Sequence, residues 1–159
     1  MAATEPVGRR RRARWQPAAR SAVLWPLTLL TVAALAIDAY IHADLASSYD
    51  PISHDISQGD LFRIEAGLSS LAALLLVLTS SRLVWTFAAA VLASALGAIL
   101  LYRYVDVGVL GPLPNMYEPL WFPEKTSAAI AEAVGTVTAI VGLVLAHRAS
   151  HAQRAARAR

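Results

Sequence analysis

Leu83 to Tyr102 is a run of twenty residues without a charge. As a helix rising roughly 1.5 Å per residue it is about 30 Å long, the thickness of a bilayer's hydrocarbon core. A small soluble domain has little use for a helix apolar on every side, whereas a membrane demands one. Three further blocks have the same character: Ser21–Leu45, about Leu61–Leu78 and about Thr126–Ala146. They predict an all-α membrane protein, a four-helix transmembrane bundle with spans at about 21–45, 61–78, 83–102 and 126–146. Hydrophobic residues make up 57% of the 159-residue chain, against roughly 45–50% apolar residues in soluble domains, and they fall in blocks. One membrane domain, 21–146, is expected between two basic tails, 1–20 and 147–159.

The first block contains Ala34-Leu35-Ala36, the small-residue pattern of a signal-peptidase site. It is long for a signal peptide's apolar region and stays helix-compatible through His42. A retained anchor helix is therefore expected, with Pro26 tolerated in its first turns. Residues 1–20 have no apolar period and read as a disordered cytoplasmic tail. The final segment from His147 is alanine-rich and basic, and is expected to continue the helix along the membrane surface.

Orientation follows from the arginines. Arg9, Arg10, Arg11, Arg12, Arg14, Arg20, Arg82, Arg148, Arg154, Arg157 and Arg159 fall on one side of the four spans, and Arg63, Arg103 and Lys125 on the other. Positive residues near the spans stay inside, which predicts both termini and the Ser80-Ser81-Arg82 turn in the cytoplasm. Lys125 is the only lysine beside many arginines and alanines, a bias that reads as a GC-rich bacterial genome, so the plasma membrane is the expected compartment. The basic tails then meet anionic lipid headgroups, so the pI near 9.7 gives no reason to expect nucleic acid. The loops 46–60 and 103–125 are expected outside.

The second of those loops is unusual. Tyr102–Lys125 holds Pro112, Pro114, Pro119 and Pro123, so it cannot be one continuous helix. Its Tyr102, Tyr104, Tyr117, Trp121 and Phe122 are types that favour a membrane–water interface. Tyr104, Tyr117, Trp121 and Phe122 are the candidate lid or partner-facing residues. Small residues at four-residue spacing, Ala89, Ala93 and Gly97 on span three and Ala131, Gly135 and Ala139 on span four, are candidate helix-packing stripes.

Asp38, His42, Arg63, Glu65, Arg103 and Glu132 all fall within or at the edge of the outer half of a span. Asp38 and His42 are four apart and share a helix face; Glu65 shares one with Ser69 and Ala72, and Glu132 with Gly135, Thr136 and Ala139. An ionisable group inside a span costs several kcal/mol, so it is expected to be partnered. Three readings stay open. The arginines neutralise the acids as structural ion pairs; or the cluster is an outward-opening ligand, ion or proton site under the long loop; or Asp38, His42, Glu65 and Glu132 hold a metal, on the pattern of carboxylate-rich four-helix bundles.

No cofactor is expected. A haem held by two histidines would need a second embedded histidine beside His42. The absence of cysteine excludes thiolate chemistry and disulfides. Phosphate-binding, dinucleotide and hydrolase motifs do not occur. The acidic loop with Asp50, His54, Asp55 and Asp60 reads as solvated, as do Asp106 and Glu118 unless Arg103 or Lys125 pairs with them. The leading expectation is a non-enzymatic accessory or structural membrane component, with a membrane-protein partner or a second copy of the chain as its protein contact.

The stretch Tyr102–Lys125, with the Asp38-x-x-x-His42 face, Tyr49 and Gly59-Asp60-Leu61-Phe62, resembles a group of small four-span integral membrane proteins of actinobacteria. The resemblance implies a fold and a compartment and carries no catalytic residue with it.

Overall fold

A computed structural model describes residues 23–157; the arginine-rich segment 1–20 lies outside the described residues. Four helices run up and down: α1 (Leu24–Leu45), α2 (Gln58–Leu78), α3 (Arg82–Tyr104) and α4 (Pro123–Arg157). Each is long and apolar enough to cross a membrane, and no strand occurs among the described residues. Neighbours pack in the cyclic order α1–α2–α3–α4, with α1 also closed against α4, while the α2–α3 seam is the most open.

The helix boundaries follow local chemistry. α2 begins at Gln58, ahead of the apolar run expected from about Leu61, because Ser57 caps it by accepting from the Asp60 N–H at 2.9 Å. Gly59 lies inside the first turn, where a Cβ would stand 2.3 Å from the Ala46 carbonyl, so only glycine lets the helix start beneath the 3-10 turn Ala46–Tyr49. Ser81 caps α3 in the same manner. Pro123 opens α4 at the position where a missing N–H costs nothing, and the Phe122 carbonyl accepts the first helical bond from Thr126. α4 does not stop near Ala146 but runs on to Arg157 through strongly helix-forming alanines and arginines.

The distribution of polarity is inverted. Leu29, Ile37, Leu71, Leu74, Leu83, Val137 and Ile140 are exposed, while Thr28, Thr31, Asp38, His42, Ser69, Glu132 and Thr138 are buried. A water-soluble bundle would do the opposite. Buried hydroxyls are satisfied locally or across helices: Thr28 donates to the Leu24 carbonyl, and the Thr31 and Thr138 hydroxyls bond at 2.8 Å.

Packing differs along the axis. Towards the α2–α3 turn the bundle is filled by Leu35, Leu76, Val84, Trp85, Leu92 and Ala139. The stripe Ala131, Gly135, Ala139 is buried, and a Cβ at Gly135 would meet Ala34 Cβ and Leu92 Cδ1 at 2.7 Å. Close approach of α4 to α1 and α3 therefore depends on it. The stripe on α3 packs only at Ala89, which is partly buried against the core, while Ala93 and Gly97 are exposed, with open space around Gly97. Alanine occurs on every side of α3, so spacing alone could not say which side faces a neighbour. At the other end the helices spread, and a loop closes over them.

Candidate functional site

At the spread end, the segments 46–57 and 105–122 are tied to each other and to the helices. The Ile56 N–H donates to the Pro112 carbonyl at 3.2 Å, and the Glu118 N–H to the Tyr102 carbonyl at 3.0 Å. Tyr49 Oη donates to Glu118 Oε2 at 2.8 Å, and Lys125 Nζ to the Glu118 carbonyl at 2.6 Å. Glu118 is thus a structural clamp, bonded through its side chain to Tyr49 and not to Arg103 or Lys125. Asp106 is likewise engaged, accepting from the Gly108 N–H and from Asn115 Nδ2 in a local turn.

Under this cover lies a cavity of about 360 Å³. Its walls are largely apolar: Ile41, Leu45, Leu61, Phe62, Ile99 and Met116. Tyr49, Gln58, Glu118 and Lys125 line it at the loop end, and His42 and Glu65 where it reaches into the bundle. Phe62 fixes the imidazole from the side, with ring centroids 5.1 Å apart at 89°. Of the four aromatic residues expected in a lid, only Phe122 lines the cavity. Tyr104, Tyr117 and Trp121 are exposed.

Four of the six cluster residues come together and two do not. Asp38 and Glu132 are both 0% exposed. One oxygen of each and one nitrogen of His42 lie within 4.8 Å of one another. His42 Nδ1 is 3.0 Å from the Asp38 carbonyl oxygen and equally 3.0 Å from Asp38 Oδ1. Ser69 donates to Asp38 Oδ2 at 2.5 Å and lies 3.4 Å from Glu65 Oε1, which ties the fourth residue to the group. Both oxygens of Glu132 are buried and accept no hydrogen bond from a hydroxyl, an amide or a basic side chain; the group they meet is the Asp38 carboxyl.

The arginines are elsewhere, so the expected neutralising ion pairs do not form. Arg63 makes a two-pronged pair with Asp50, at 2.7 and 2.8 Å, and a further contact to Asp60 at 3.1 Å. The guanidinium beside Asp50 holds that exposed carboxyl below its ordinary value. Arg103 lies over the rings of Tyr104 and Trp121, at 5.1 and 5.6 Å. Asp50 and Asp60 are therefore partners of Arg63 rather than free solvated acids.

Comparison with protein-family models, with curated proteins and with solved structures finds no match for this chain.

Three carboxylates and one imidazole converge beside a mostly apolar cavity, with no arginine or lysine among them. Deprotonated and empty, such a group would hold like charges together away from water at a cost of several kcal/mol per ion. The arrangement suits protons, a cation or the polar end of a ligand. Ser69 and Gln58 are the residues whose roles the sequence hid: each is an ordinary polar residue at a helical position, and only the i, i+4 relation of Ser69 to Glu65 hinted at it.

Proposed function

We propose that this is a multi-pass membrane protein of the plasma membrane that binds a lipophilic small molecule with a polar, hydrogen-bonding end. The observation that carries the reading is the cavity, apolar along its walls and reaching His42 and Glu65 where it enters the bundle. A volume of about 360 Å³ is within the roughly 300–1,000 Å³ of small-molecule sites, which join apolar walls to a few fixed polar groups. The open α2–α3 seam, flanked by Ile64, Ser94 and Ala98, supports entry from the lipid side. The Tyr49–Glu118–Lys125 clamp holds the loop in place above. Arginine placement supports both termini inside and the cavity in the outer half of the membrane.

This reading is favoured over the ion-pair reading of the cluster because Arg63 pairs with Asp50 and Asp60 and Arg103 lies over aromatic rings, which leaves the buried acids available to a ligand. Native mass spectrometry of the full chain in mild detergent tests it. Wild-type protein should retain or capture a small lipophilic mass. Ala98→Trp, which fills the cavity, should lose that mass, and Glu65→Gln should hold it more weakly. An unladen wild type, or equal loading of wild type and Ala98→Trp, contradicts the proposal.

A further inference from the structure

Glu132 is the anomaly of the bundle: a fully buried carboxyl, aimed at Asp38 and His42, that meets no hydroxyl, amide or basic side chain and has only another acid, Asp38, as its hydrogen-bond neighbour. Buried polar groups are nearly always paired, and each exception calls for an explanation. From it we infer that Asp38, His42 and Glu132 form a binding site for a divalent transition-metal cation of the zinc, manganese or iron type.

Charge is the first argument. Two ionised carboxylates and a neutral imidazole carry two negative charges, which a divalent cation turns into an uncharged unit. Neutral units are what a low-dielectric interior accepts. Donor type is the second. One imidazole nitrogen with carboxylate oxygens selects borderline metals over calcium and magnesium, which prefer six or more oxygens or retain their waters.

Distance is the third. The three donor atoms lie within 4.8 Å of one another, whereas three donors roughly 2.0–2.2 Å from one ion stand about 3.3–3.8 Å apart in tetrahedral or trigonal geometry. Binding therefore draws the side chains together by up to about 1 Å, a rotamer adjustment between helices already in contact. Support outside the three donors is also present. Ser69 holds Asp38 Oδ2 at 2.5 Å, and Glu65, 3.4 Å from the same hydroxyl and outside the three donors, is placed, carrying its proton, to orient a bound water. The inference stands on these side chains and not on occupancy of the cavity, so the two proposals fail separately.

The test uses the full chain in detergent, stripped with a chelator, dialysed against Zn²⁺ or Mn²⁺, and assayed for bound metal by elemental mass spectrometry. Wild type should bind one of these ions stoichiometrically. Glu132→Gln and Asp38→Asn should reduce binding at least tenfold, and Ser69→Ala should weaken affinity by roughly 10–100-fold. Ala98→Trp should bind as wild type does, even when the small-molecule ligand is lost. Should the carboxylate variants aggregate, Co²⁺ loaded into wild type and Ser69→Ala supplies the readout, with visible absorption of a nitrogen–oxygen site in the first and a weakened titration in the second. Wild type that binds neither ion, or Glu132→Gln that binds as much as wild type, overturns the inference; the cluster then holds protons only.

Discussion

Asp38 on α1 and Glu132 on α4 face each other with both side chains at 0% exposure and no arginine beside either. Opposed carboxylates in a bundle core are a poor way to hold helices together. Their presence is better understood as stability given up for a site, a common exchange at functional positions.

That exchange has a measurable sign. In metal-free buffer, Glu132→Gln removes one of the facing acids and should not destabilise the protein. Relief of about 1 kcal/mol would raise Tm by roughly 2–4 °C. The same variant should lose the metal-induced rise in Tm that wild type shows, since a ion binding only the folded state stabilises it by mass action. A fall in metal-free Tm of similar size would mean that Glu132 has a structural partner.

The loop cover depends on one hydroxyl. Tyr49→Phe deletes the 2.8 Å bond to Glu118, a hydrogen bond to a charged group, of a kind contributing about 1.5–3 kcal/mol. Hydrogen exchange across 113–122 should accelerate several-fold, with the interiors of α1 and α4 unaffected. Unchanged protection would show that the loop is held by its other contacts.

Close approach of α4 to α1 rests on Gly135, where a Cβ would stand 2.7 Å from Ala34 Cβ. Gly135→Leu should cost about 1–3 kcal/mol through overpacking, read as a lower midpoint in denaturant titration. By contrast Gly97→Leu, placed in open space, should be close to neutral. Reversal of the two would move the helix interface to the other stripe.

Acid stability should follow the Asp50–Arg63 pair. Arg63 lowers the folded-state value of the Asp50 carboxyl below its ordinary 3.8. A depressed carboxyl stabilises the fold above the unfolded-state value and loses that contribution as pH falls through the folded-state one. Tm should therefore be flat in this respect between pH 7 and pH 5 and decline below about pH 4, and Asp50→Asn should flatten part of that decline. Both groups are exposed to water, so the effect will be small and will shrink with added salt. An acid limb identical in wild type and Asp50→Asn would remove the pair from the account.

Much of the fold could be read from the chain because membrane helices carry a strong signal: length and apolarity locate α1 to α4 without knowledge of any contact. The shared faces of Asp38 with His42 and of Glu65 with Ser69 followed from helical spacing alone. Which partner an arginine chooses did not. Arg63 sits in the second turn of α2, and its partner is decided by the path of residues 50–57, which brings Asp50 beside it. The Tyr49–Glu118 bond was hidden for a related reason, since it joins two irregular segments whose meeting depends on the whole bundle. The paired stripes show the same limit, because alanine on all sides of α3 leaves nothing to distinguish its packed face.

Topology can be checked simply, because the chain has no cysteine of its own. Cysteine placed at Ser53 should react with a membrane-impermeant maleimide added to intact cells, and cysteine at Ser150 only after the cells are opened. The opposite pattern would turn the cavity towards the cytoplasm.

The central claim is that the buried acids converge on a site and are not neutralised by arginine. Bound-metal content of purified wild type and Glu132→Gln, measured side by side after identical loading, tests it most directly. The account predicts stoichiometric metal in wild type and at least a tenfold loss in Glu132→Gln. Equal metal content in the two, or none in wild type, would contradict it.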